Sequence, residues 1–106
     1  MWLMTTRGFY SVVEHYDDPA RLLVRARNRR DIDALRPLIT GEPFPLEHAD
    51  YAWRVEVTRS EWQAAMRVLV EEITYPNFKN AISDPAHHDA YMRVWSVLLA
   101  LDDRER

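Results

Sequence analysis

Residues 51–73 read YAWRVEVTRSEWQAAMRVLVEEI, and in them a period of two gives way to a period of 3.6. Tyr51, Trp53, Val55 and Val57 alternate with Ala52, Arg54, Glu56 and Thr58, the pattern of a strand with one apolar and one wet face. Thr58 stands three residues before Glu61, the capping-box spacing, so the hydroxyl can accept from a first-turn N–H while the carboxylate reaches back to the cap. Trp62, Ala65, Met66, Leu69 and Ile73 then share one side of a helix, opposite Arg59, Gln63, Arg67 and Glu71. A strand feeding a helix that covers the strand's own sheet is the unit predicted here, with Trp53 and Trp62 in one core.

Upstream, residues 1–16 (MWLMTTRGFYSVVEHY) predict two strands around Thr6-Arg7-Gly8, where Gly8 supplies the backbone freedom a tight hairpin needs. Asp17-Asp18-Pro19 ends the second strand. Residues 21–27 alternate as a third strand. Asn28 three residues before Asp31 caps a short helix carrying Ile32 and Leu35, which Pro37 ends or kinks. Residues 40–50 contain Gly41, Pro43 and Pro45 and read as a loop without regular structure, tacked down by Phe44 and Leu46. Downstream, Tyr75-Pro76 breaks the pattern, and Asp84-Pro85 is a cap followed by proline at the first helical position of a last helix reaching about residue 102. Tyr91, Val94, Trp95, Leu98 and Leu101 form its stripe, and Met92, Val97 and Leu99 make the stripe wider than one contact needs.

The expected fold is α+β: a two-layer sandwich with a mostly antiparallel sheet of about four strands, order β-β-β-α-β-α-α, and helices on one face. At 106 residues this is a single domain, 1–106. The chain has no Cys, which excludes disulfides and thiolate chemistry and suits a reducing compartment. No signal-peptide core or membrane span is readable, so the expected location is cytoplasmic and no membrane partner is expected.

Charge is informative only locally. Residues 21–30 carry five Arg and no acid, a local +5 that leaves −8 for the rest of a chain of net charge −3. Arg25 and Arg27 are expected on the sheet face away from the helices, with Arg54 and Tyr10 as candidate neighbours there. An open sheet with Arg and aromatic residues can hold single-stranded RNA. Glu14 and Glu56 oppose that reading by offering cross-strand Arg–Glu pairs instead.

Catalytic signals are few. Asp84, His87, His88 and Asp89 crowd the start of the last helix, yet no two His share a face at the i, i+4 spacing of a helical zinc pair, and the cluster suits the helix dipole as a solvated first turn. His88-Asp89 looks like the pair of the HD-type phosphohydrolases, without the further ligands of those larger helical domains. No Ser lies in a nucleophile elbow, and two glycines build no phosphate loop. Glu71-Glu72 point about 100° apart on a helix and read as a solvated face. No catalytic residue, metal site or cofactor is assigned.

The blocks GFYSVVEH, DPARLLVRAR, YPNFK and AYMRVWSVLLAL together resemble a family of short uncharacterised proteins of high-GC bacteria and their phages, which open on a similar Met-Trp-x-x-Thr segment. That resemblance implies one compact domain and carries no catalytic residues. The functional expectation is a non-enzymatic protein-interaction domain, an inhibitor or accessory protein of the anti-defence kind such as an anti-CRISPR, able to homodimerise. The partner-binding candidates are Arg25, Arg27, Arg29, Arg30, Tyr75, Phe78, Met92 and Leu99. The alternatives are a nucleic-acid-binding module using the Arg-rich strand and a small hydrolase or metal-dependent enzyme.

Overall fold

A computed structural model describes residues 1–103, which part into two compact units, Met1–Thr74 and the described residues from Tyr75 onward. The first unit holds an antiparallel sheet of β1 (Trp2–Met4), β2 (Phe9–Glu14), β3 (Arg21–Ala26), β4 (Phe44–Pro45) and β5 (Trp53–Thr58), in the order β1-β2-β3-β5-β4. Helices α1 (Arg29–Asp33) and α2 (Arg59–Glu71) pack on β3 and β5. The fold is therefore α+β with an antiparallel sheet, as the patterning predicts.

Register explains which residues reach the core. Val12, Val24 and Val55 lie opposite one another across three strands, and Leu3, Tyr10, Ala26 and Trp53 form the next row on the same face. Trp62, Ala65 and Leu69 of α2 and Ile32 of α1 complete one core cluster with them. Trp62 is 3% exposed and Trp53 packs against the same cluster, so the strand and the helix it feeds do share a core. Burying an aromatic side chain of this size stabilises the fold by about 2–3 kcal/mol before any cavity cost is counted.

The helix caps form as the spacing predicts. Asn28 and Thr58 accept from the backbone N–H of Asp31 and Glu61 respectively. The second half of the Thr58 capping box does not form, because Glu61 Oε2 instead accepts from the backbone N–H and hydroxyl of Thr40, both at 2.6 Å. That carboxylate anchors the segment leading into β4. Gly8 has φ 153°, and a Cβ there would stand 2.5 Å from the carboxyl carbon of buried Asp31. Asp31 in turn accepts from the Phe9 N–H through Oδ2 and from the Tyr10 hydroxyl through its carbonyl, so the hairpin and α1 are locked together.

Four expectations are corrected. The sheet has five strands, since residues 44–45 of the expected loop pair with Arg54 and Trp53. Pro45 is tolerated because β4 is an edge strand, where a missing N–H breaks no inner ladder. Helix α2 stops at Glu71 and leaves Ile73 exposed. Glu72 is not a solvated carboxylate: Arg7 donates to it through Nε at 2.9 Å and Nη2 at 2.6 Å, tying the β1–β2 turn to the end of α2. The Arg7 hydrogen bonds hold the Glu72 carboxyl below the usual range, against desolvation, and raise the Arg7 guanidinium in return. Finally, Tyr51 does not extend the apolar row of β5, which begins only at Trp53.

The second unit contains α3 (Pro85–Leu98), followed by a 3₁₀ turn at Leu99–Leu101. Asp84 caps α3 through the His87 N–H at 3.0 Å, with Pro85 in the first turn. Phe78 stacks on the buried ring of Tyr91 at 5.6 Å between centroids and meets Tyr75 at 5.7 Å, a small aromatic core for this unit. No helix of the described residues is long and apolar enough to cross a membrane.

Candidate functional site: an arginine row on the sheet

The sheet face away from α1 and α2 is set by the same registers read one residue out of phase. Trp2, Ser11, Arg25, Arg54 and Phe44 lie directly opposite one another across all five strands. Cross-strand neighbours of this kind have Cβ atoms about 5 Å apart. Arg25 and Arg54 are therefore a like-charge pair in the middle of the sheet.

Neutral groups hold both. Arg25 donates through Nη2 to the buried Ser11 hydroxyl at 2.7 Å, and Arg54 donates through Nε to the Tyr51 carbonyl at 3.2 Å. Arg27 donates to the Asp50 carbonyl at 3.0 Å. The guanidinium carbons of Arg25 and Arg27 stand 4.6 and 4.4 Å from the centre of the Tyr51 ring, which is only 4% exposed. Such cation–π contacts orient a guanidinium without neutralising it. Among the described residues no carboxylate makes an ion pair with Arg25, Arg27 or Arg54.

The other end of the same face is neutralised. Glu56, opposite Leu23, accepts from Arg21 Nη2 at 3.3 Å and lies 3.4 Å from His15 Nε2. His15 Nδ1 accepts the Asp17 N–H at 3.1 Å, which leaves the ring proton on Nε2, facing Glu56. Arg59 binds Glu14 at 2.7 Å. Arg–Glu pairing therefore forms at this end of the sheet and, among the described residues, not at Arg25, Arg27 or Arg54.

The remaining sequence candidates lie elsewhere. Arg29 ion-pairs with Asp33 and stands over the Trp53 ring at 5.3 Å, on the side of α1, and Arg30 is the next residue of that helix. Arg29 therefore does not share the Tyr51 ring with Arg25 and Arg27. Tyr10 belongs to the core face, and Tyr51 takes the place expected for it beside the arginines. Tyr75 and Phe78 are half-buried in the aromatic stack, Met92 is half-buried, and Leu99 is exposed. Arg54 joins Arg25 on this face as expected, whereas Ser11 is placed beside it only by the β2–β3 register.

The chemistry open to this arrangement is recognition of negative charge. Ser11 and His15 are four residues apart along β2, about 13 Å in a strand, so they form no nucleophile–base couple. Among the described residues no three His, Asp or Glu side chains converge to hold a metal ion. No protein-family model, curated protein or solved structure matches this chain.

Proposed function

We propose that the protein is a non-enzymatic protein-interaction domain whose arginine row holds an acidic stretch of another protein. Its role on this reading is that of an accessory or inhibitor protein, the class to which anti-defence proteins such as anti-CRISPRs belong. The observation that carries the proposal is the Arg25–Arg54 cross-strand pair with no carboxylate among the described residues. Like charges directly opposite in a sheet are destabilising, and an acidic ligand relieves that cost on binding. The flanking aromatics favour a protein over a nucleic acid. Trp2 and Phe44 stand at opposite edges, four strand spacings or about 19 Å apart, and the Tyr51 ring is covered by guanidinium groups, so successive bases find no continuous stacking path.

Arg54→Glu tests the proposal through two readouts of opposite sign. It places a carboxylate opposite Arg25, as Glu56 stands near Arg21, so stability should rise by about 0.2–1 kcal/mol. Partner capture from nuclease-treated lysate should fall at least tenfold, while the remote control Arg36→Glu retains it. Unchanged capture by Arg54→Glu overturns the proposal. So does tight, log-linearly salt-dependent binding of single-stranded oligonucleotides, which is the signature of the nucleic-acid alternative.

A further inference from the structure

Read from edge to edge, the arginine row is an aromatic ring, a hydroxyl, two cations and a second aromatic ring. Trp2 is 75% exposed and is held edge-to-face on Phe9 at 6.2 Å between centroids, so the outermost ring stands in water in a set orientation. Ser11 is buried and bonded to Arg25, and Phe44 closes the row at the other edge, 38% exposed. Arg25 Nε is buried without a hydrogen-bond partner. Arg54 donates only through Nε, to the Tyr51 carbonyl, which leaves both its Nη groups without a protein partner among the described residues. A charged centre with an aromatic ring at each end is therefore laid out across the strands. Running along them is disfavoured: an acidic chain following β5 from Arg54 meets Glu56 within two residues, about 7 Å, and in the other direction the strands end at Ala26 and Trp53.

Resting on the acidic-partner reading, we infer that the partner crosses the sheet as an extended segment with one carboxylate between Arg25 and Arg54 and an apolar side chain on each terminal ring. Charge complementarity sets the centre, and the exposed aromatic rings are the residue type that anchors interfaces. Strand spacing sets the pattern. With strands about 4.8 Å apart, the midpoint of the Arg25–Arg54 pair stands two and a half spacings, about 12 Å, from Trp2 and one and a half, about 7 Å, from Phe44. An extended chain advances about 3.3 Å per residue, and its side chains return to one face at every second residue. The acid then lies four residues, about 13 Å, from the apolar residue on Trp2 and two residues, about 7 Å, from the one on Phe44. Both intervals are even, so all three side chains leave the same face of the segment. The recognised pattern is apolar-x-x-x-acid-x-apolar. Contact through side chains alone serves either chain direction, so the reversed pattern is admitted as well.

Titration of the full chain with three end-blocked peptides, followed by NMR to about 1 mM peptide, tests the spacing. Leu-Thr-Thr-Thr-Glu-Thr-Leu and its reverse, Leu-Thr-Glu-Thr-Thr-Thr-Leu, carry the pattern. Leu-Thr-Thr-Glu-Thr-Thr-Leu has the same composition and charge, but its acid leaves the face opposite both leucines. At least one patterned peptide should bind about tenfold more tightly than the third. Trp2→Ala and Phe44→Ala should each remove most of that preference, with an unchanged circular dichroism spectrum because both rings lie at exposed edges of the sheet. Arg54→Glu should abolish binding of all three. Equal affinity for the three peptides, no binding of either patterned peptide at 1 mM, or a preference that survives both aromatic substitutions overturns the inference. In each of those cases loss of lysate capture by Arg54→Glu still supports the acidic-partner reading, whereas retained capture is the failure of that reading itself.

Discussion

The two faces of the five-stranded sheet are made by alternate residues of the same strands and obey different physics. On the helix side Tyr10, Val24 and Val55 have no exposed surface, and contact area decides what is tolerated. On the other side the row from Trp2 to Phe44 keeps two like charges opposite each other, an arrangement that disfavours folding. A core face can be understood from packing alone. A face that retains repulsion invites an explanation outside the folded chain, in what binds there.

The largest effect that distinguishes the faces is expected at Trp62. Trp62→Ala removes a 3% exposed ring between α2 and β5 and should cost about 3–5 kcal/mol, read as a shift of the urea midpoint at constant slope. A domain of this size has about 5–15 kcal/mol in all, so the variant should be partly unfolded in mild denaturant. A midpoint barely moved would mean that the helix layer does not hold the sheet, and the contrast between the faces would disappear.

A smaller effect concerns charge on the helix side, where it is paired. Glu72 has its carboxyl lowered by the Arg7 hydrogen bonds, so its contribution to stability is present above the unfolded carboxylate value of about 4.3 and is lost as pH falls through the lower folded value. Glu72→Gln should cost about 1 kcal/mol at neutral pH. The variant should also lose less stability than the native chain between pH 6 and pH 3. Asp33, lowered by Arg36, titrates in the same window, and an Asp33→Asn background separates the two. Parallel pH profiles for the native chain and Glu72→Gln would show that the Arg7 pair does not hold the hairpin to α2.

What the sequence reveals about these faces follows from how local each signal is. Asn28, Thr58 and Asp84 announce their helices because a cap acts within three residues. The alternation of β3 and β5 reveals which residues are apolar-facing for the same reason. Residues 44–45 become a strand only because β5 is available to pair with them, and no propensity in a segment with three turn-forming residues predicts that. Glu72 and Arg7 meet across 65 positions. Glu61 leaves its expected cap bond for Thr40, 21 residues away. The arginine row is likewise a property of register: moving β5 by two residues against β3 would bring Glu56 opposite Arg25 and erase the unpaired patch. Composition shows that the arginines are many. Only the pairing shows which of them lack a carboxylate.

The smallest expected effect is therefore the sharpest test of the comparison within the arginine face. Glu56 stands two residues from Arg54 on β5, about 7 Å along the strand, inside the roughly 8 Å Debye length of physiological salt. A unit charge at that distance in water contributes about 0.6 kcal/mol, or a factor of about three in affinity. Glu56→Gln removes the negative charge while keeping an acceptor for Arg21 and for the His15 Nε2–H, so stability should change by only a few tenths of a kcal/mol. Partner affinity should rise toward threefold at low salt and about 1.5-fold at 0.15 M salt, where screening cuts the term by about half, because the Arg21 charge is no longer offset and repulsion of an acidic ligand is lost. At 1 M salt, where the screening length is about 3 Å, the gain should vanish. A gain that persists in high salt would assign the effect to contact rather than charge. A loss of affinity would mean that the partner uses Glu56 itself, and that the neutralised end of the sheet, rather than the arginine row, is where it binds.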